Sequence, residues 1–257
     1  MSLFVGLLVL LISSVLAALI SVPKQLEALA SVGRRVPVPR GAAVLQDAVL
    51  SILAAGTGLA VAGKTGFQMV RLLSGGTAIQ GISNAGLALF STTAITVVAF
   101  LGHILIYYVI FRPRLPPDEV IFGERVRLEM GLFARLLHGG VIEEVQFRWG
   151  LMSLFAWAGL TLLPLPAEFL IWVAIVVSAA GFALFHLMGA RGLGMGSDGY
   201  SIGLILVDNT WAGIFFGWLF WRYGLVAAAI SHALLHLFWF PLEKVMLERY
   251  EARNRPA

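Results

Sequence analysis

Apolar runs of about 20 residues recur along this chain, the length a helix needs to cross the hydrocarbon core of a bilayer. They fall near 3–22, 41–63, 84–110, 136–158, 169–190, 201–221 and 225–241. Each is rich in Leu, Ala, Val and Ile and lacks the period-two alternation that a membrane β-barrel would require. The fold class is therefore all-α: a polytopic transmembrane bundle of seven spans. An eighth is possible if 64–83, KTGFQMVRLLSGGTAIQGIS, crosses as well instead of lying at the interface. Composition agrees, with 59% hydrophobic and 12% charged residues, where a soluble domain carries about a quarter charged.

The same composition removes several chemistries. With no cysteine there is no disulfide, thiol nucleophile or thiolate metal site. No basic block with interleaved aromatics points to nucleic acid. The opening segment, MSLFVGLLVLLISSVLAALISV, has neither a basic n-region nor a small-x-small cleavage site, and it reads as a retained first span.

Lys and Arg positions set an expected orientation. With the N-terminus outside, fourteen fall in the inner segments 23–40, 111–135, 191–200 and the tail, against three outside (Lys64, Arg71 and Arg222). That bias favours N-out, C-in. Many Ala, Gly and Arg against few Lys suggest a bacterial inner membrane. Residues 118–137, DEVIFGERVRLEMGLFARLL, space Val120, Ile121, Val126, Met130, Phe133 and Leu137 as one amphipathic surface helix leading into the fourth span. Three regions follow. These are 1–130, N-terminal spans plus this connector; 131–245, a core holding the polar residues; and 246–257, a polar cytoplasmic tail. The sequence assigns no oligomeric state.

Ionisable residues inside the spans are few: Asp47, His103, Glu143, Glu144, Arg148, His186, Asp208, His232 and His236. A central Asp, Lys or Arg costs about 2.5–3.5 kcal/mol on an insertion scale, against about 0.3–0.6 gained per Leu or Ile. Such residues are candidates for function by default. The densest group lies in GGVIEEVQFRWGLM, residues 139–152. On an α-helix Glu144 and Arg148 share a face and can pair, while Glu143 points about 100° away, unpaired by its own helix. Phe182 and His186 lie four apart in the fifth span, and His232 and His236 four apart in the last. In the N-out orientation Glu143 lies roughly 10 Å deep from the cytoplasmic side, and the histidines fall in the same half.

Two carboxylates with several imidazoles suit a hydrolase in which a carboxylate and an imidazole activate water and other polar groups hold an oxyanion. No G-x-S-x-G context occurs, and Ser231 beside His232 does not share its face. H-E-x-x-H is absent, although His232 and His236 with His186 or Glu143 could hold zinc. Asp47 and His103 are read as structural, His138 as lying at the membrane entry, and Gly139–Gly140 as loosening or closely packing the helix start. Asn209 could supply an amide or join helices.

E-E-x-x-x-R (Glu143, Glu144, Arg148), then F-x-x-x-H (Phe182, His186), then His232 with His236 at the fourth position resemble the CPBP family, the CAAX prenyl endopeptidases with their bacteriocin-immunity (Abi) relatives. The resemblance covers about 135–240. It implies a metal-independent glutamate-type intramembrane protease acting on a membrane-associated protein or peptide. Carried over, Glu143 with His186 activates water, Glu144 is the supporting carboxylate held by Arg148, and His232 serves the oxyanion. The family's usual Asn is here His236, which a neutral imidazole N–H can replace as donor and which also makes metal more plausible. The alternatives are a zinc protease using His232 and His236, and a non-enzymatic scaffold or proton-coupled transporter.

Overall fold

The computed structural model describes residues 3–34, 38–69, 78–196 and 198–253. Among them the chain is almost entirely helical, with no strand. The helices are α1 (Leu3–Ser31), α2 (Arg40–Thr65), α3 (Ala78–Ile104), α4 (Pro117–Met130), α5 (Leu132–Leu137), α6 (Ser153–Leu162), α7 (Ala167–Gly192), α8 (Gly199–Tyr223) and α9 (Leu225–Arg253). A π-helix, Leu105–Phe111, and a short 3-10 turn, Arg112–Arg114, extend α3. A second π-helix, His138–Met152, joins α5 to α6 with helical backbone at both junctions, making one rod over 132–162.

Among the described residues six helices are long and apolar enough to cross a membrane; the composite rod over 132–162, where a further span was expected, is not among them, because it carries Arg135, Glu143, Glu144 and Arg148. Of the stretch 64–83, Lys64 and Thr65 close α2 and residues 78–83 open α3; residues 70–77 lie outside the described residues, as do Arg35, Arg71 and Arg255 of the charge count. The last helix does not stop at 241 but runs through Pro241 to Arg253, so the tail from 246 continues α9.

Breaks in the rods follow local chemistry. Gly66, at φ 70°, returns its N–H to Ala62 and ends α2. Gly224, at φ 92°, separates α8 from α9. Leu225 and Val226 then donate their N–H groups to the carbonyls of Gln68 and Met69, so the loop after α2 caps the start of α9. Gly131, at φ 80°, cuts the expected amphipathic helix in two. Its second half belongs to the membrane rod, where Phe133 is exposed.

The outer surface is apolar, with Leu53, Leu87, Phe90 and Leu101 all exposed, as lipid-facing residues are. The interior is close-packed through small residues. A Cβ on Gly150 would lie 2.6 Å from Ala54 Cβ, and one on Gly213 would lie 2.8 Å from Ala179 Cβ. The π-helix is held across its length: Trp149 Nε1 donates to Ala55 O (3.1 Å) and Ser178 Oγ donates to Phe147 O (2.8 Å). Through it run α1, α2, α7 and α9 as neighbours.

Connector α4 is more than an interfacial link. It buries Glu124, whose carboxylate accepts from Arg112 Nε (2.6 Å), Arg112 Nη2 (2.9 Å) and Tyr107 Oη (2.8 Å). From the same helix Arg127 donates to Glu243 Oε1 of α9 (2.6 Å), whose other oxygen takes Arg135 Nη1 (2.7 Å). Hydropathy hid these ion pairs, because Arg112, Arg127 and Arg135 were counted as loop cations and Glu243 fell beyond the expected last span.

Candidate active site

One cavity of about 330 Å³ opens among these helices, at the end of the bundle where α4 lies. The π-helix contributes His138, Gly139 and Glu143 to it, α7 contributes Phe182 and His186, and α9 contributes His232 and His236. The three motifs are therefore assembled around one space. Glu143, Glu144, Arg148 and His232 are all buried.

The backbone of residues 138–152 alters the expected spacing. In a π-helix the hydrogen bonds run from i to i+5, so residues five apart come into line. His138, Glu143 and Arg148 are such a series. His138 Nε2 lies 3.6 Å from Glu143 Oε1, so Glu143 is not left alone by its own helix, contrary to the α-helical expectation. His186 Nε2 also lies 3.6 Å from Oε1, and His232 Nε2 lies 3.7 Å from Oε2. Three imidazoles thus face one carboxylate at distances too long for direct hydrogen bonds.

The partners behind each ring fix what it presents. His186 Nδ1 lies 3.0 Å from the Phe182 carbonyl, which can only accept. His232 Nδ1 lies 2.7 Å from Glu144 Oε1. Ser21 Oγ donates to Ala17 O (2.7 Å), leaving it to accept from His138 Nδ1 at 3.4 Å. Each ring therefore carries its proton on Nδ1 and, when neutral, turns a lone pair on Nε2 towards Glu143. A carboxylate ringed by acceptors calls for a donor between them, and water is the donor with two hydrogens to give.

Glu144 and Arg148 do pair, at 3.2 Å, but the short bond of Glu144 is to His232. Arg148 Nη2 also donates to Gly213 O (3.3 Å), and its guanidinium lies over the rings of Phe182 (4.7 Å) and Phe216 (5.3 Å). The pair thus holds His232 upright between α8 and the π-helix. Gly139 leaves the room that two rings need: a Cβ there would sit 2.7 Å from His232 Nε2 and 2.8 Å from His236 Nε2. Gly140 packs closely on α9, facing Ala229 O at 3.2 Å.

His236 stacks on His232, with ring centres 5.0 Å apart, and its Nδ1 lies 3.4 Å from Arg135 Nη2. Among the described residues no group of three His, Asp or Glu side chains is arranged to hold a metal.

The other candidates divide. Asp47 Oδ2 sits 3.9 Å from His138 Nδ1, behind the ring that faces Glu143. His103 pairs with Asp208 at 2.9 Å and ties α3 to α8. Asn209 lines the cavity, and its amide donates to Ile205 O of its own helix (2.8 Å). Ser231 is hydrogen-bonded to Thr96 (2.7 Å) and takes no part in a dyad. The sequence reading passed over His138, Arg135 and Asp47 as site neighbours; the five-residue spacing of His138 and Glu143 was the visible signal.

Helical fold and site together define a polytopic helical protein with a buried carboxylate–imidazole centre. Residues 127–238 match the family model for type II CAAX prenyl endopeptidase Rce1-like proteins, consistent with the CPBP resemblance and containing every motif residue. No curated protein and no solved structure gives a significant match. The family match supports a protease of the CAAX type acting on a peptide substrate in or at the membrane.

Proposed function

We propose that this chain is a glutamate-type intramembrane endopeptidase. The observation that carries the reading is the facing of Glu143 Oε1 and His186 Nε2 at 3.6 Å, both as acceptors. A water donating one hydrogen to each keeps its lone pair free for a peptide carbonyl carbon. As the oxygen attacks, one water proton passes to Glu143. The oxyanion faces His236 and also His232, which donates from Nε2 only when its ring holds both protons. When the C–N bond breaks, Glu143 returns the proton to the leaving nitrogen, giving a carboxyl terminus and a free amine. Glu144 and Arg148 position His232, and no metal takes part.

The substrate is a membrane-associated protein or peptide, cleaved near its C-terminus or within a membrane segment. The catalytic core is 131–245, and the cavity opens to the cytoplasmic side of a bacterial inner membrane in the N-out orientation. Placement of α4, Arg112, Arg127, Arg135 and Glu243 at the cavity end supports that orientation, since cations gather on the cytoplasmic side.

Peptide cleavage by purified protein tests the mechanism. Glu143→Gln should lower kcat by about 10²–10⁴, the usual contribution of a general base, and a chelator should change nothing. Full activity in Glu143→Gln would sink the mechanism, and loss on chelation would transfer it to zinc at His232 and His236.

A further inference from the structure

His236 poses a chemical question that an amide would not. A neutral imidazole can present to the cavity either an N–H or a lone pair, and only the first can hold an oxyanion. We infer that Arg135 is the positioning residue that makes His236 a donor; this rests on the proteolytic reading above.

The geometry is specific. Arg135 stands on α5, one turn before the π-helix, and is 3% exposed. Glu243, two turns beyond His236 on α9, takes Arg135 Nη1 at 2.7 Å and is itself fixed by Arg127 at 2.6 Å. Arg135 also lies over the Trp239 ring, at 4.8 Å. So anchored, it directs Nη2 at His236 Nδ1 (3.4 Å). A guanidinium has donors and no acceptor and does not lose its charge. His236 Nδ1 must therefore offer its lone pair, which puts the ring proton on Nε2. A second proton on Nδ1 would face the guanidinium head on.

Nε2 is the atom that meets His232 Nε2 over Gly139, inside the cavity. The four histidines are thus split. His138, His186 and His232 carry protons on Nδ1, while His236 alone among them carries its proton on Nε2. His232 donates from Nε2 only when it holds both protons, whereas His236 donates in its neutral form. Arg135 supplies through orientation what an asparagine side chain would supply by composition.

Two measurements test this. Nitrogen-15 spectra of histidine-labelled protein in bilayers, with His236 assigned from the His236→Asn variant, should show His236 protonated on Nε2. Protonation on Nδ1 overturns the proposal, and this readout does not depend on any cleavage. Kinetically, Arg135→Gln should lower kcat at least tenfold while KM changes little. Arg135→Lys, which keeps a charge for Glu243 but loses the fork, should do likewise. In the His236→Asn background, where an amide donates without help, the same changes should cost less than about threefold. An equal loss in both backgrounds would make Arg135 a structural residue, and complete inactivity of His236→Asn would show that a donor at 236 is not what matters. If Glu143→Gln remained active while the spectra showed Nε2–H, the protease mechanism would fall and the tautomer assignment would stand.

Discussion

Gly139 shows how little room the site leaves for change at a single residue. A methyl there would have to displace His232 Nε2 or His236 Nε2, and neither ring is free to swing. One is tied to Glu144 at 2.7 Å, the other is met by Arg135. Gly139→Ala is therefore expected to reduce the kcat of the folded protein tenfold or more, beyond any loss of Tm, since the collision is with the two rings of the site. Peptide cleavage and thermal unfolding in detergent, measured on one preparation, would separate the two; a large Tm loss with kcat retained in the folded fraction would contradict it. At this scale the motif residues were legible in the sequence because a buried charge is costly enough to be conspicuous. Their partners were not. Phe182 O and Ser21 Oγ decide the protonation of His186 and His138, and a backbone carbonyl or a serine in an apolar run carries no visible cost.

Helix boundaries are set by special residues, some of which hydropathy missed, as at Gly131, and by changes of pitch that it cannot see. Asp198, beside the glycine that opens α8, is the clearest cap: its carboxylate accepts from Tyr200 N (2.8 Å), Ser201 N (3.1 Å) and Ser201 Oγ (2.5 Å). These bonds, the Ser201 hydroxyl foremost, hold its carboxyl below the ordinary carboxylate range. A value lowered on folding means the stabilisation is complete above the unfolded value of about 3.9 and disappears as pH falls through the folded value. Asp198→Ala should cost about 0.5–1 kcal/mol at pH 7, at the low end for a cap because the group is solvated. The gap between variant and wild-type Tm should close as the pH is taken below about 4; a gap unchanged at that pH would contradict the assignment. By contrast, nothing in HGGVIEEVQFRWGLM announces a π-helix. Its residues suit an α-helix equally well, and the wider turn is paid for by packing from α2, α7 and α9 that only the assembled fold provides.

Across the whole molecule, the all-helical polytopic architecture and the apolar belt followed from hydropathy, because length and composition suffice to define them. The buried ionic network did not, since Arg112, Glu124, Arg127, Arg135 and Glu243 lie at the ends of rods where charge is ordinary. The proposed orientation is open to a direct test that this chain makes unusually clean, as it contains no cysteine. Lys64, at the end of α2, and Arg125, on α4, are both exposed. In intact cells Lys64→Cys should react with a membrane-impermeant thiol reagent and Arg125→Cys should react only after lysis. The reverse pattern would invert the bundle and move the cavity to the other side. One consequence of the π-helix concerns mutation by length. Deleting Val141 would swing every later side chain of the rod by about 100° relative to the earlier ones if the remainder relaxed to α-helical pitch. Glu143, Arg148 and Trp149 would lose their partners together. Among related chains, indels between His138 and Met152 should therefore be far rarer than substitutions there, because one missing codon changes the phase of the whole segment at once.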